Sequence, residues 1–252
     1  MREALVVDLG TIAYAEALAL QRRLAAERHA GTVPDVLLLC QHPPVVTLGR
    51  SGDAAHIGAE VRRRGVPVYD VERGGDVTYH GPGQLVGYPV LALRSDERDL
   101  HGYLRGLEEV VLRTLADFGV HGERLPGLTG VWSGKNKLCA IGVAVRHWVT
   151  LHGFALNVNL DLQPFQWIVP CGLHGRGVTS LEALAARPLD FAAVQAAVVR
   201  HFGIVFSRSL QPAAVEEVLE RLSRGAAERG VTANGDDGDL RPSGRNGERQ
   251  PE

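Results

Sequence analysis

The sequence predicts an α+β fold, a mixed and largely antiparallel sheet flanked by helices. Two observations carry this. Helical and strand-like segments interleave irregularly, without the regular strand–helix alternation of a doubly wound parallel sheet. The densest β-branched stretch, "KLCAIGVAVRHWVTLHGFALNVNL" at 137–160, breaks at the polar Arg146–His147 pair, as two antiparallel strands joined by a tight turn would. No internal repeat is present, and no linker divides the chain before its last residues, so one domain is expected.

In chain order, residues 11–29 ("TIAYAEALALQRRLAAERH") place Tyr14, Ala17, Leu18, Gln21, Leu24 and Ala25 at helical spacing, with Arg22, Arg23, Glu27 and Arg28 mostly opposite. That pattern is an amphipathic surface helix. The apolar run 36–40 ("VLLLC"), bounded by Pro34 and by Pro43 and Pro44, reads as a buried strand, and 45–49 ("VVTLG") as another. A basic helical turn ("AEVRRRG") precedes the strand-like 66–72. A glycine-rich loop then leads to 84–93 ("QLVGYPVLAL"), expected near the centre of the sheet. Residues 99–119 form the clearest helix, with Leu100, Tyr103, Leu104, Leu107, Val110, Val111 and Leu115 on one face and Gly119 as its C-cap. Thr179–Ser180 and Asp190 are N-cap candidates for two more helices, and a last helix is expected over 212–223. From Gly225 the chain turns polar and lacks aromatic residues. Residues 225–252 are therefore expected to be a disordered tail behind a catalytic domain of 1–224.

The composition sets limits on function. Of 252 residues, 45% are hydrophobic and 22% charged, enough apolar material for a sizeable core. A count of 27 basic against 29 acidic residues argues against a nucleic-acid partner. Cys40, Cys139 and Cys171 are too few and too scattered for a disulfide framework, which points to a reducing compartment. The N-terminal residues lack the apolar segment of a signal peptide, and no stretch approaches the roughly 20 apolar residues that span a bilayer. A soluble cytoplasmic protein without a membrane partner is expected.

Cys40 and Cys139 sit in apolar runs and read as packing residues. Cys171, in "QWIVPCGLHGRGVTS", lies between Pro170 and Gly172, where a loop can leave backbone N–H groups free for a ligand. Packing, metal ligation and nucleophilic chemistry all remain open for it. Metal ligation is the weakest, because Cys171 and His174 form a lone C-x-x-H pair with no second pair at zinc-site spacing. A nucleophile must be a thiolate, and the free thiol pKa of about 8.5 leaves little of it near neutrality. An ammonium at about 4 Å and an effective dielectric near 20 would favour the thiolate by roughly 4 kcal/mol.

Lys135 and Lys137 are the only lysines in the chain. Arginine stays protonated, whereas a lysine can accept a proton once its pKa is depressed. Lys137 opens an apolar strand and Lys135 sits in a turn, so Lys137 is the better candidate, with an ordinary turn lysine as the alternative.

Two other segments carry polar residues in suggestive settings. "RGGDVTYHGPGQL" (73–85) holds Gly74, Gly75, Gly81 and Gly83, which permit close backbone approach, bracketed by Arg73 and His80. It fits neither a phosphate loop nor the dinucleotide fingerprint; a hairpin turn explains its glycines but not its polar residues. In "HGFALNVNLDL" (152–162), His152 is either a base or a satisfied histidine at a strand end, and Asn157 and Asn159 share one strand face.

Taken together, "RGGDVTYHGPGQLVGYPV", "KLCAIGVAVRHWVTLHGFALNVN" and "IVPCGLHGRGVTSL" resemble the lipoyl(octanoyl) transferases of lipoate biosynthesis, from the N-terminal helix to about residue 206. The resemblance implies the catalytic core shared with biotin and lipoate protein ligases. It implies transfer of an octanoyl group from octanoyl-acyl carrier protein to a lysine of lipoyl domains, those of 2-oxoacid dehydrogenase E2 subunits and of the glycine cleavage H protein. By that likeness Cys171 carries the acyl thioester and Lys137 lowers its pKa. Arg73, Gly74, Gly75, Asp76, Val77, Thr78, Tyr79 and His80 would line the substrate site with Ala140, Ile141, Gly142, Gly153, Phe154 and Ala155. Thioester exchange followed by amide formation needs neither ATP nor a metal, so no cofactor is expected. The sequence is silent on oligomeric state, and a monomer is the default expectation. Three rivals stand beside this: an ATP-dependent lipoate or biotin ligase, a thiol hydrolase using Cys171 with His80, His152 or His174, and a non-enzymatic binding module.

Overall fold

The computed structural model describes residues 1–169 and 175–228. Strand β1 (Arg2–Thr11) leads into helix α1 (Tyr14–Ala30), which ends where Gly31 turns left-handed at φ 81°. The expected inner face of α1, from Tyr14 to Ala25, is buried throughout. Strands β2 (Asp35–Gln41) and β3 (Val45–Leu48), helix α2 (Ala59–Arg63), and strands β4 (Val68–Asp70), β5 (Val77–His80) and β6 (Gln84–Val90) follow. Helix α3 (Leu100–Asp117) precedes four strands, β7 (Glu123–Leu125), β8 (Leu128–Ser133), β9 (Asn136–Arg146) and β10 (Val149–Asn157). Strand β11 (Gly177–Val178), helices α4 (Leu181–Ala185) and α5 (Phe191–Val205), strand β12 (Arg208–Pro212) and helix α6 (Val215–Glu228) complete the described chain. Ser180 and Asp190 cap α4 and α5 as expected, accepting from the Ala183 and Ala192 amides.

The main sheet has the order β12-β1-β2-β6-β10-β9-β8-β7, with β11 added beside β9. Its centre is antiparallel, and only the β12–β1–β2 edge and the β9–β11 pair are parallel. The expected mixed, largely antiparallel sheet is the observed one, with β6 near its centre. Both faces are covered. Leu37 and Leu39 of β2, Leu85 of β6 and Phe154 of β10 pack on one side against Leu107 and Val111 of α3 and Val198 of α5. Val36, Leu38 and Cys40 of β2 meet Leu20 and Leu24 of α1 and Val218 and Leu222 of α6 on the other. Burial on both faces is why "VLLLC" is apolar at every position instead of alternating.

Some boundaries differ from expectation. Leu100, assigned to the inner face of α3, is 45% exposed because it opens the helix before the buried turns begin. The last helix starts at Val215, since Pro212 belongs to β12, and it runs on through Gly225 to Glu228. Residues 229–252 lie outside the described residues. Strands β1, β5, β7, β8, β11 and β12 go beyond the sequence expectation. The parallel edge that β1 and β12 add beside β2 is held by charge: buried Asp35 accepts from Arg28 Nε at 2.6 Å, Arg208 Nε at 2.8 Å and Arg2 Nη2 at 3.2 Å. Among the described residues no helix is long and apolar enough to cross a membrane.

A second, three-stranded sheet, β4-β3-β5, carries the glycine-rich segment to the main sheet. The Gly74 amide donates to the Val143 carbonyl of β9 at 2.9 Å. This contact holds the glycine-rich segment against β9.

Candidate active-site cleft

One cleft lies between the 73–80 segment and the α1-side face of β9 and β10. It is lined by Arg73–Thr78, His80, Ala140–Gly142 and Gly153–Ala155, so every expected substrate-site residue but Tyr79 meets there, and Lys137 lines the same space. Tyr79 lies on the other face of β5, where its ring meets Phe165 and Trp167 at 5.7 and 6.2 Å. The period-two alternation of a strand separates it from Thr78 and His80.

Two close approaches explain the glycines. A Cβ at Gly142 would lie 2.8 Å from the Gly74 carbonyl oxygen, and one at Gly49 would lie 2.2 Å from that of Gly75. Neither backbone contact survives a side chain there.

Arg73 is buried, its Nη2 donating to the carbonyl and the hydroxyl oxygen of Thr47, both at 2.8 Å. Asp76 ties down the neighbouring turn. Its carboxylate accepts from the Asp53 amide at 3.1 Å and meets His56 Nδ1 at 2.5 Å. His80 Nδ1 lies 2.7 Å from Gln84 Oε1 and its Nε2 lies 3.4 Å from Thr47 Oγ1, so both ring nitrogens are engaged. Burial first, and then the neighbouring His42, depress the His80 pKa to about 3. A neutral ring with both nitrogens occupied is a wall and a poor general base.

The sequence did not single out Tyr14, Val86 and Tyr88 as site residues, yet all three line the cleft. Tyr14 stacks on His80, with ring centroids 6.0 Å apart at 12°. His42 supports the same wall, its Nε2 accepting from the Tyr88 hydroxyl at 2.7 Å. Tyr14 and Tyr88 carried no signal beyond core periodicity. His152 did carry one, and it is neither a strand-end residue nor a satisfied one. It sits inside β10 with φ 57°, 2% exposed, and neither ring nitrogen has a hydrogen-bond partner.

Lys137 also lines the cleft. Its Nζ lies 4.7 Å from the centroid of the Trp132 ring, over which the Arg176 guanidinium also sits at 5.3 Å. Its backbone pairs with Val178 of β11, and its carbonyl accepts from the Thr179 amide at 3.0 Å. Strand β11 follows the Cys171-bearing segment, while the residue before that segment, Val169, donates to the His56 carbonyl at 2.8 Å. Cys171 and His174 themselves lie outside the described residues. Cys40 and Cys139 are buried, and burial pushes both thiols well above the usual range, which suits packing residues. Among the described residues no three His, Cys, Asp or Glu side chains are grouped to hold a metal ion.

The family model of the lipoyl protein ligase A/B catalytic domain matches residues 13–203. An octanoyltransferase of Solibacter usitatus (strain Ellin6076) is 50% identical over 218 residues, covering 85% of this chain and 98% of that protein. One from Syntrophotalea carbinolica is 51% identical over 197 residues, covering 78% and 92%. Among solved structures, the bi-partite lipoate protein ligase of Thermoplasma acidophilum superposes with a TM-score of 0.70 at 19% identity, over 91% of this chain and 93% of that one. At that identity the likeness speaks for the fold alone, and it is the lipoate-ligase fold.

Proposed function

This chain belongs to the lipoyl protein ligase A/B catalytic-domain family, and from that premise we propose how it works as an octanoyltransferase of lipoate biosynthesis acting on lipoyl domains. The donor is octanoyl-acyl carrier protein, and the acceptors are lysines of E2 lipoyl domains and of the glycine cleavage H protein. The enzyme acts as a monomer. The Lys137 amine takes the Cys171 proton, and the resulting thiolate attacks the donor's thioester carbon. The C–S bond to the carrier breaks, and the Lys137 ammonium returns the proton to the departing carrier thiolate. The acceptor lysine then attacks the Cys171 thioester and gives its proton to Lys137. An amide forms, and the Cys171 thiol is regenerated. Two half-reactions of this kind predict ping-pong kinetics.

The observation that carries the proposal is the placement of Lys137. It shares a cleft with the substrate segments, and its strand pairs with the one that follows Cys171. The apolar lining beside it, Val86, Ala140, Phe154 and Ala155, suits an alkyl chain. The engaged, neutral His80 speaks against a hydrolase that uses this ring as its base. Because ligases share the fold, ATP dependence has to be measured.

Incubation with octanoyl-acyl carrier protein, without ATP, should give one octanoyl adduct by intact mass, mapped to Cys171 and discharged by a lipoyl domain. Active enzyme that never carries the adduct, or that requires ATP, contradicts the mechanism.

A further inference from the structure

Behind the cleft wall runs a chain of hydrogen bonds whose polarity is fixed at one end. The Lys137 carbonyl accepts from the Thr179 amide, and the Thr179 carbonyl accepts from Asn157 Nδ2 at 2.9 Å. A backbone carbonyl can only accept, so the Asn157 amide has one orientation, with Oδ1 toward Gln84. Gln84 Nε2 donates to that oxygen at 2.9 Å and to the Tyr79 carbonyl at 3.3 Å. Gln84 Oε1 is thereby left for His80 Nδ1, which must carry the proton. His80 Nε2 is then the acceptor for the Thr47 hydroxyl, whose oxygen receives Arg73. No amide in the series can flip without setting two like groups face to face.

The series joins three residues that line the cleft, Arg73, His80 and Lys137, through residues that do not. Thr47, Gln84, Asn157 and Thr179 are all buried, so their polar groups have no water to turn to if a partner is lost. We propose that Gln84 and Asn157 are positioning residues for the transfer: they hold His80 as the Nδ1–H tautomer and fix the strand after the thiol-bearing segment against Lys137. This rests on the roles given above to Lys137 and Cys171.

The test pairs ring ¹⁵N NMR of His80 with single-turnover octanoylation. In the wild type, His80 should show the Nδ1–H tautomer and should not titrate between pH 8 and 5. Asn157→Ala should slow octanoylation roughly 10- to 100-fold, the cost of stranding buried polar groups, while KM for the donor stays within about threefold. Gln84→Glu keeps an acceptor for His80 but turns an oxygen on Asn157. It should retain the tautomer and still slow the reaction, whereas Gln84→Leu should lose both. Circular dichroism and Tm separate these effects from misfolding. If Asn157→Ala does not fold, Gln84→Glu and the wild-type tautomer decide. An Nε2–H tautomer in the wild type overturns the proposal, as do wild-type rates in folded Asn157→Ala or Gln84→Glu. Lys137→Ala is the control: wild-type octanoylation in that variant would defeat the assigned role of Lys137, while the tautomer result would stand independently.

Discussion

His80 and His152 are both buried imidazoles on one cleft, and burial lowers the pKa of each, yet their surroundings differ. His80 has relaxed strand backbone and a partner for each nitrogen. His152 has left-handed backbone, two unpartnered nitrogens, and the Glu72 carboxylate 3.7 Å from its Nε2. Its position is set by the main chain, whose amide donates to Gln21 Oε1 at 2.9 Å. Arg22 takes up both oxygens of the Glu72 carboxylate, its Nε donating at 3.1 Å and its Nη2 at 2.9 Å. One histidine thus contributes to the fold's stability, and the other is a strained group that the fold carries. Strained backbone and unmet polarity of this kind cluster at active sites and ligand clamps.

The largest expected effect comes from breaking the partnered side. His80→Ala leaves Gln84 and Thr47 short of a partner and opens a cavity, and should cost about 3 kcal/mol in denaturant unfolding. A loss below about 1 kcal/mol would erase the contrast with His152.

Acid should sharpen it next. The folded pKa of His80 is depressed to about 3, while the unfolded chain takes up its proton near the ordinary value of about 6.5. A depressed group contributes stability that is complete above the unfolded pKa and lost as pH falls toward the folded one. Stability should therefore fall below about pH 6.5, by up to about 1.4 kcal/mol per pH unit for this one group. His42 and His152 are shifted the same way and steepen the slope. Glu72 and Glu97 act only lower, below the usual carboxylate range of about 4.3. Calorimetric Tm from pH 8 to 5 reads chiefly the histidines, and a flat profile would contradict the burial of His42, His80 and His152 as neutral rings.

The smallest effect belongs to the strained side. Glycine adopts φ 57° freely, whereas a side chain there costs roughly 1–2 kcal/mol, so His152→Gly should offset its lost packing and change stability by under about 1 kcal/mol. A large loss would mean that the ring is held by contacts the unpartnered nitrogens do not suggest.

Local pattern made much of this legible. Most of the inner face of α1 could be read from helical spacing, although Leu20 and Glu27, the latter expected on the outer face, are buried as well. The β9–β10 turn was visible at Arg146–His147 because a polar pair interrupts two apolar runs. The turn's conformation was not, since His147 and Trp148 take positive φ where glycine or asparagine would be usual. Strand β12, "RSLQP", has no apolar alternation at all; pairing with β1 and the Arg208–Asp35 ion pair make it a strand.

The cleft was legible only through three motifs recognised together. No periodicity brings Gly74 to Val143, a contact set by how two sheets pack. Tyr14 and Tyr88 read as core because they are core, and the cleft is cut into that same packing. The hydrogen bonds from Asn157 to His80 cross between neighbouring strands whose residues lie far apart in sequence, so their sense could be read only once the Thr179 carbonyl was in place.

The most direct test of the thiolate–ammonium pair is the pH dependence of Cys171 alkylation by iodoacetamide, located by peptide mass, in wild type and in Lys137→Ala. The wild-type midpoint should lie at least about one unit below the ordinary thiol value of about 8.5, and Lys137→Ala should return it there. A wild-type midpoint at or above that value, or identical profiles for the two proteins, would contradict the pairing.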